Sequence, residues 1–157
     1  MQKTNVMRML DKAKITYNTV TYEVDESDLS GTHIAECTGM NPETVFKTLV
    51  AKGDKNGFCV FCIPCAEEVD LKKAAKAVGE KSIAMLPQKE LLPLTGYVHG
   101  GCSPVGMKKP FPTVFHETAE ILDRIMVSAG KIGFQIQCRP EDLIALVGAT
   151  TADVTVE

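Results

Sequence analysis

The sequence predicts an α/β chain of the α+β type, with a mixed, largely antiparallel sheet or barrel flanked by helices, and with residues 1–157 forming a single domain. Three observations predict this. Short β-rich apolar runs alternate with capped helical segments, but without the strict strand–helix–strand period of a Rossmann layout. Hairpin signals fall in the middle of the chain and again near its end, where they favour antiparallel neighbours. A chain of 157 residues, 45% of them hydrophobic, buries roughly two thirds of its unfolded surface, enough for a true core. No linker, repeat or low-complexity tract interrupts it.

Taken in order, Val6, Met9, Leu10 and Ala13 recur at helical spacing behind Thr4 and Asn5, which gives an opening helix. Tyr17 to Glu23 alternates as a strand, and Thr32 to Cys37 is a short helix ending at Gly39. Asn41-Pro42-Glu43 starts a brief second helix with proline at its first position. Phe46 to Lys52 and Phe58 to Ile63 form a hairpin about Asp54-Lys55-Asn56-Gly57. Asp70 caps a helix from Leu71 to Val78, stopped by Gly79. A short strand, Ser82 to Met85, and a helix, Pro87 to Leu94, precede a glycine-rich loop. Beyond it come a strand at Thr113 to His116, a turn at Thr118 to Leu122, and strands at Arg124 to Ser128 and Gly133 to Cys138. Ala129-Gly130-Lys131-Ile132-Gly133 joins those last two as a hairpin turn. A helix from Pro140 to Val147 ends at Gly148, and Asp153 to Val156 is expected to add a final strand.

Composition excludes several function classes. The net charge is −3, so the field of the whole molecule does not hold nucleic acid, and any such contact must be local or helped by a partner. No run approaches the ~18 apolar residues of a membrane span, and the first residues lack an apolar core of signal-peptide length. A cytoplasmic location without membrane attachment is expected. The six cysteines are then expected to be reduced. Cys59, Cys62 and Cys65 have the spacing that opens some iron–sulfur sites, but Phe58 to Ile63 reads as a buried strand. Residues three apart on a strand point to opposite faces, so Cys59 and Cys62 are expected to pack as small hydrophobes. The three histidines also lack metal-site spacing, and neither a metal nor another cofactor is expected.

The chemistry concentrates in Gly96 to Pro110, which holds four glycines, a thiol and two lysines. Bare backbone lets a ligand approach closely, exposed N–H groups bind oxygen anions, and lysines attract phosphate. Cys102 has His99 three residues before it and His116 fourteen after, the raw material of a thiolate and base, but no family signature of a cysteine protease accompanies them. Walker A, G-x-S-x-G and H-E-x-x-H motifs are absent. Lys47 lies in an apolar strand. Facing inward, its ammonium needs a partner or a ligand oxygen; facing outward, it is an ordinary solvated lysine. Tyr22 has the same two readings, a core ring or a polar pocket wall.

Tyr22-Glu-Val-Asp25, Val45-Phe-Lys47-Thr-Leu-Val50, Asp70 to Gly79, Gly96 to Lys109, Val127-Ser-Ala-Gly-Lys131 and Pro140-Glu-Asp-Leu143 occur in the order and spacing of one family. Over nearly its full length the chain resembles the YbaK/EbsC family of free-standing Cys-tRNA(Pro) deacylases, which are similar to the editing domain inserted in bacterial prolyl-tRNA synthetases. The lysine motif and the Gly-Gly-x-Ser-Pro loop carry the specificity of that match.

The resemblance implies hydrolysis of the ester joining a wrong amino acid to tRNA. Proline and cysteine are close in size, so a synthetase pocket separates them by only a few kcal/mol and a second site must correct the error. The family's route uses the substrate's own cysteine thiol as nucleophile, which releases tRNA and a cyclic thioester that opens in water. Positioning and oxyanion stabilisation are then required of the protein. By this analogy Lys47 holds the aminoacyl end or the terminal phosphate, Tyr22 lines the same pocket, and the N–H groups of Gly100, Gly101 and Cys102 receive the developing charge. Ser103 orients the carbonyl, and Lys108 and Lys109 meet tRNA phosphates, unless they are only a solvated loop. Asp142 is either a substrate contact or a helix-dipole partner. The chain departs from many relatives at Ile132, where a basic residue is common, and at Cys102, where an apolar residue precedes the serine. An acidic protein reading a general 3′ end does not choose tRNA(Pro) unaided, so prolyl-tRNA synthetase is the expected partner. Two other readings stay open: a hydrolase using Cys102, and a non-enzymatic RNA-end or peptide-binding module.

Overall fold

A computed structural model describes residues 3–25 and 27–156, and all structural statements refer to these. Helix α1 (Asn5–Lys12) starts at Thr4, whose hydroxyl accepts from the Met7 amide, and buries Val6, Met7 and Leu10. Strand β1 (Tyr17–Thr21) is followed by α2 (Gly31–Thr38), capped by Ser30 and ended by left-handed Gly39. A 3-10 turn at Pro42–Thr44 leads into the hairpin of β2 (Phe46–Gly53) and β3 (Phe58–Pro64). Helix α3 (Leu71–Ala77) begins at Asp70, whose carboxylate accepts from the amides of Lys72 and Lys73. Strand β4 (Ile83–Met85), a 3-10 turn at Gln88–Glu90 and α4 (Leu91–Thr95) lead to the glycine loop. Then follow β5 (Thr113–His116), a 3-10 turn at Glu117–Ile121, β6 (Ile125–Lys131), β7 (Phe134–Cys138), α5 (Pro140–Val147) and β8 (Thr150–Ala152).

The strands form a three-stranded antiparallel sheet, β1-β7-β6, and a five-stranded mixed sheet, β4-β2-β3-β5-β8, in which β5 runs parallel to both β3 and β8. A single parallel bridge, Val45 to Met126, joins the start of β2 to β6. The main core lies between the sheets. Phe46, Val50, Val60, Cys62 and Phe115 meet Val127, Ile136 and Cys138 there, closed by Val6, Met7 and Leu10 of α1 and Leu143 of α5. A second cluster packs α3 on the far face of the larger sheet and includes Ala51, Cys59, Phe61 and Ile63. Cys59 and Cys62 therefore point to opposite faces, as strand periodicity requires. Among the described residues no group of His, Cys, Asp and Glu could hold a metal ion, and no helix is long and apolar enough to cross a membrane.

The expected mixed α/β architecture is present, with three corrections. The final strand is Thr150–Ala152 rather than 153–156; Thr155 makes only an isolated bridge to Val69. Around that bridge the Asp70 amide donates to the Val154 carbonyl at 2.8 Å and the Val156 amide to the Glu68 carbonyl at 2.9 Å, and side chains add to the hold: the Val154 amide donates to His116 Nδ1 at 3.3 Å, and Lys73 Nζ donates to the Thr155 carbonyl at 3.0 Å. Strand β1 stops at Thr21, opposite Phe134 where its partner β7 begins, although the Tyr22 amide carries the register one step further to the Gly133 carbonyl at 3.2 Å. The expected 87–94 helix divides into a 3-10 turn and the five residues of α4.

Candidate functional site

Where β2 and β6 touch through one bridge, a cavity of about 350 Å³ opens along the seam between the two sheets. Its walls are Lys47, Thr48 and Leu49 of β2, Ser128 of β6, Gln135 of β7, the turn Leu29-Ser30-Gly31 that opens α2, and His99, Gly100 and Cys102 of the glycine loop. Apolar contacts from Ile34, Val45, Phe46, Cys65 and Leu91 complete it. Two close approaches require glycine. A β-carbon on Gly31 would sit 2.3 Å from Cys65 Cβ, and one on Gly100, whose φ is +86, would sit 3.1 Å from Leu29 Cβ. These contacts draw the α2 turn onto the end of β3 and the glycine loop onto the α2 turn.

The cavity is electropositive. Lys47 is half-buried, and its ammonium makes no hydrogen bond or ion pair with a described residue. The N-terminus of α2 adds partial positive charge, and no described Asp or Glu lines the space. The amides of Gly100 and Cys102 have no partner among the described residues, whereas the Gly101 amide donates to the Val98 carbonyl at 3.0 Å. The amides this loop leaves open are thus those of Gly100 and Cys102, while the Gly101 amide is used within the turn. Ser128 Oγ accepts from the Gly130 amide at 3.1 Å, which leaves its proton free to donate. Gln135 is only 3% exposed, and its carboxamide has no protein partner. Its polar atoms keep their remaining exposure towards the open cavity, where a ligand's polar groups can reach them.

Cys102 faces the cavity as a thiol, not a thiolate, because burial pushes its pKa up to about 12. His116, one of its two expected base partners, sits instead on β5 with its ring nitrogens against the Val154 amide and Thr155 Oγ1. His99 lines the cavity but makes no hydrogen bond to Cys102. Burial likewise raises the Cys65 thiol, with the Lys47 charge opposing the shift.

The remaining expected residues fall outside the cavity wall. Ser103 is fully buried, and its hydroxyl accepts from the Val105 amide at 3.3 Å, so it shapes the loop rather than facing a ligand. Tyr22 packs against the cluster that includes Ile34, Val45 and Cys65 and does not line the cavity. Lys108 is exposed and donates to the Pro93 carbonyl at 3.3 Å; Lys109 lines a separate cleft with Pro104, Phe111 and Met9. Asp142 lies in the first turn of α5, in a different cleft beside Arg124 and Arg139. Sequence reasoning left out Ser128 and Gln135. Their signal was a polar residue at a strand position between buried apolar ones, and the ladder sets the two opposite each other.

Residues 32–146 match the aminoacyl-tRNA editing domain family. The chain belongs to that family. It is 46% identical over 154 residues to a candidate Cys-tRNA(Pro)/Cys-tRNA(Cys) deacylase, EbsC, of Enterococcus faecalis (strain ATCC 700802 / V583), covering 98% of this chain and 94% of that one. The fold is similar to that of a candidate trans-editing enzyme for prolyl-tRNA synthetase, with a TM-score of 0.81 at 24% identity, covering 99% of this chain and 100% of that one. It is also similar to the hypothetical protein APE2540, with a TM-score of 0.88 at 19% identity, covering 98% and 100% of the two chains.

Proposed function

We propose that this editing-domain protein hydrolyses the ester of mischarged aminoacyl-tRNA, with Cys-tRNA(Pro) as the foremost substrate and Cys-tRNA(Cys) as a second. The observation that carries the reading is the uncommitted Lys47 ammonium in the same cavity as the free Gly100 and Cys102 amides, in a space that no described carboxylate or activated protein nucleophile lines. Such a site stabilises an oxyanion but cannot itself attack.

The substrate supplies the attack. Its thiol sulfur bonds to the ester carbonyl carbon as the bond from that carbon to the ribose oxygen breaks, and the thiol proton passes to the ribose oxygen. Water then opens the cyclic thioester to free cysteine. The charge on the carbonyl oxygen is greatest between these bond changes, and Gly100 and Cys102 N–H groups with the Lys47 amine meet it there. Gln135 and the Ser128 hydroxyl hold the remaining polar groups of the aminoacyl end. Prolyl-tRNA synthetase, as a partner, supplies the choice of tRNA.

The test is a panel of Cys-, Ser-, Ala- and Pro-tRNA assayed for deacylation. A substrate thiol acting as nucleophile makes Cys-tRNA far faster than its hydroxyl isostere Ser-tRNA, and equal rates for the two would refute the mechanism. Adding prolyl-tRNA synthetase is expected to raise the preference for tRNA(Pro); equal tRNA selectivity in its absence removes that partner from the reading. The rival hydrolase through Cys102 requires a thiolate that the high pKa denies at neutral pH.

A further inference from the structure

The β1-β7-β6 sheet has one face in the main core, through Ile125, Val127, Ile136 and Cys138, and a second face that carries Ser128 and Gln135 into the cavity. Along that second face, away from the cavity, the next cross-strand pair is Met126 and Gln137, with Asn18 of β1 opposite Gln137. Asn18 Nδ2 donates to Gln137 Oε1 at 3.4 Å. One further step of the pleat, just beyond the strand ends, brings Arg124 and Arg139 to the same face. Lys14 and Thr16 arrive there from the α1–β1 connection and Asp142 from α5, and these five residues line a cleft of about 320 Å³. Ser128 and Arg124 are four positions apart, which at ~3.3 Å per residue puts the cleft about 13 Å from the cavity wall.

Three cations surround this cleft against one carboxylate, in a chain whose net charge is −3. None of the three side chains makes a hydrogen bond to a described residue. Arg124 and Arg139 each form an ion pair at 3.9 Å, with Asp123 and Glu141, whose carboxylates are solvent-exposed and can be displaced by a phosphate. Lys14 adds an independent observation. It is the one non-glycine residue with positive φ, +60, among those described, and it follows the end of α1 with its amide on the Asp11 carbonyl. Glycine ordinarily takes such a helix-terminating position at no steric cost. Lysine there accepts backbone strain and contributes a charge to the cleft.

We propose that Lys14, Arg124 and Arg139 form a phosphodiester-binding cleft that holds the backbone of the single-stranded 3′ end of RNA, a short stretch upstream of the nucleotide whose ester enters the Lys47 cavity. The assignment rests on the editing function proposed above. It gives an acidic protein one place where guanidinium and ammonium donors, paired only with exposed carboxylates, can meet phosphodiesters.

The experiment measures binding without turnover, so that it stands apart from hydrolysis. Fluorescence anisotropy follows an uncharged acceptor-stem RNA hairpin with a single-stranded CCA 3′ end, and the same hairpin blunt-ended, across a salt series. Wild type is expected to bind the overhang hairpin more tightly. The double variant Arg124→Gln/Arg139→Gln is expected to bind it about tenfold more weakly, with a salt slope flattened by about 0.7 for each phosphate that is no longer neutralised. Lys14→Gly is expected to weaken binding while holding or raising Tm, because glycine relieves the strained backbone; that separates weaker binding from damage to the fold. The proposal is overturned if the variants bind the overhang hairpin with wild-type affinity and slope, if they weaken both hairpins equally, or if wild type does not distinguish the hairpins. A wild type that binds the overhang yet leaves every aminoacyl ester intact would refute the editing function and retain the cleft as an RNA-end site.

Discussion

Lys47→Met separates catalysis from stability in a single residue. The substitution keeps the apolar stem that packs in the cavity wall and removes only the ammonium, which has no protein partner to lose. A donor aimed at a developing oxyanion is worth about 10²–10³ in rate, roughly 2.7–4 kcal/mol. Ground-state binding through a charged hydrogen bond is worth less, about 1.5–3 kcal/mol. The expected result is therefore a fall of about two to three orders of magnitude in kcat/KM on Cys-tRNA(Pro), carried mainly by kcat. Tm should hold or rise, since a half-buried, unpaired charge gives the folded state nothing and removing it relieves desolvation. Single-turnover deacylation gives the rate, and thermal melting gives the stability. Activity within about threefold of wild type would refute the role of the amine. A large fall in Tm would show that Lys47 is held by the fold and is not reserved for a ligand.

Cys102→Ala is expected to retain deacylation within a few-fold, and a rate loss comparable to that of Lys47→Met would restore the cysteine-hydrolase reading. Burial also raises the thiols of Cys62, Cys102 and Cys138 to about 12, so the folded chain keeps protons that the unfolded chain releases. The stability tied to them is complete below the ordinary thiol pKa and declines as pH rises from there towards 12, by about 1.4 kcal/mol per pH unit for each thiol. Urea melts across that alkaline range should show the decline, with a smaller slope in Cys102→Ala; a flat profile would mean that these thiols are hydrated. Gly31→Ala places a methyl 2.3 Å from Cys65 Cβ, and a loss of about 1–3 kcal/mol with a fall in activity is expected, against no change in Tm if the α2 turn can retreat. His116→Ala should speed hydrogen exchange at the Val154 amide while leaving deacylation intact, because the ring ties down the tail and does not face the cavity.

Elements with their own punctuation were legible in the sequence. Asp70 and Gly79 bracket α3, Asn56-Gly57 turns β2 into β3, and Gly130 to Gly133 turn β6 into β7, because caps and turns are decided within a few residues. Strand β8 was misplaced by three residues because its partner β5 lies more than thirty positions earlier, and a parallel pairing leaves no local turn signal. The site divides in the same way. Lys47 and Gly100 stand out as a cation in an apolar strand and a glycine in a loop, and both reach the cavity. Ser103 and Gly101 carry the right chemistry in the right loop, but their polar groups are consumed by Val105 and Val98, a matter of loop geometry that composition does not encode. Gln135 was missed for the opposite reason. It has the ordinary look of an amphipathic strand residue until the second sheet is in place and its face becomes interior.

The position of the cavity follows from how the two sheets join. A continuous ladder between β2 and β6 would satisfy every edge group and leave no space, whereas complete separation would flood the seam with water. The single Val45–Met126 bridge holds the edges together at one point, with Lys47 and Ser128 each two residues beyond it along parallel strands. Residues two apart share a face, so the amine and the hydroxyl start from equivalent positions on the two sides of the opening. Leu29, Gly100 and Leu91 close over this seam with apolar and backbone groups and lower the local dielectric without adding a negative charge. On the proposed mechanism, a cavity of this kind strengthens its interaction with an oxyanion and offers no thiolate of its own. If the proposed substrate thiol is the nucleophile, discrimination against a cysteinyl ester lies in the substrate itself, and a correctly charged prolyl ester, which has no thiol, is spared even when it enters.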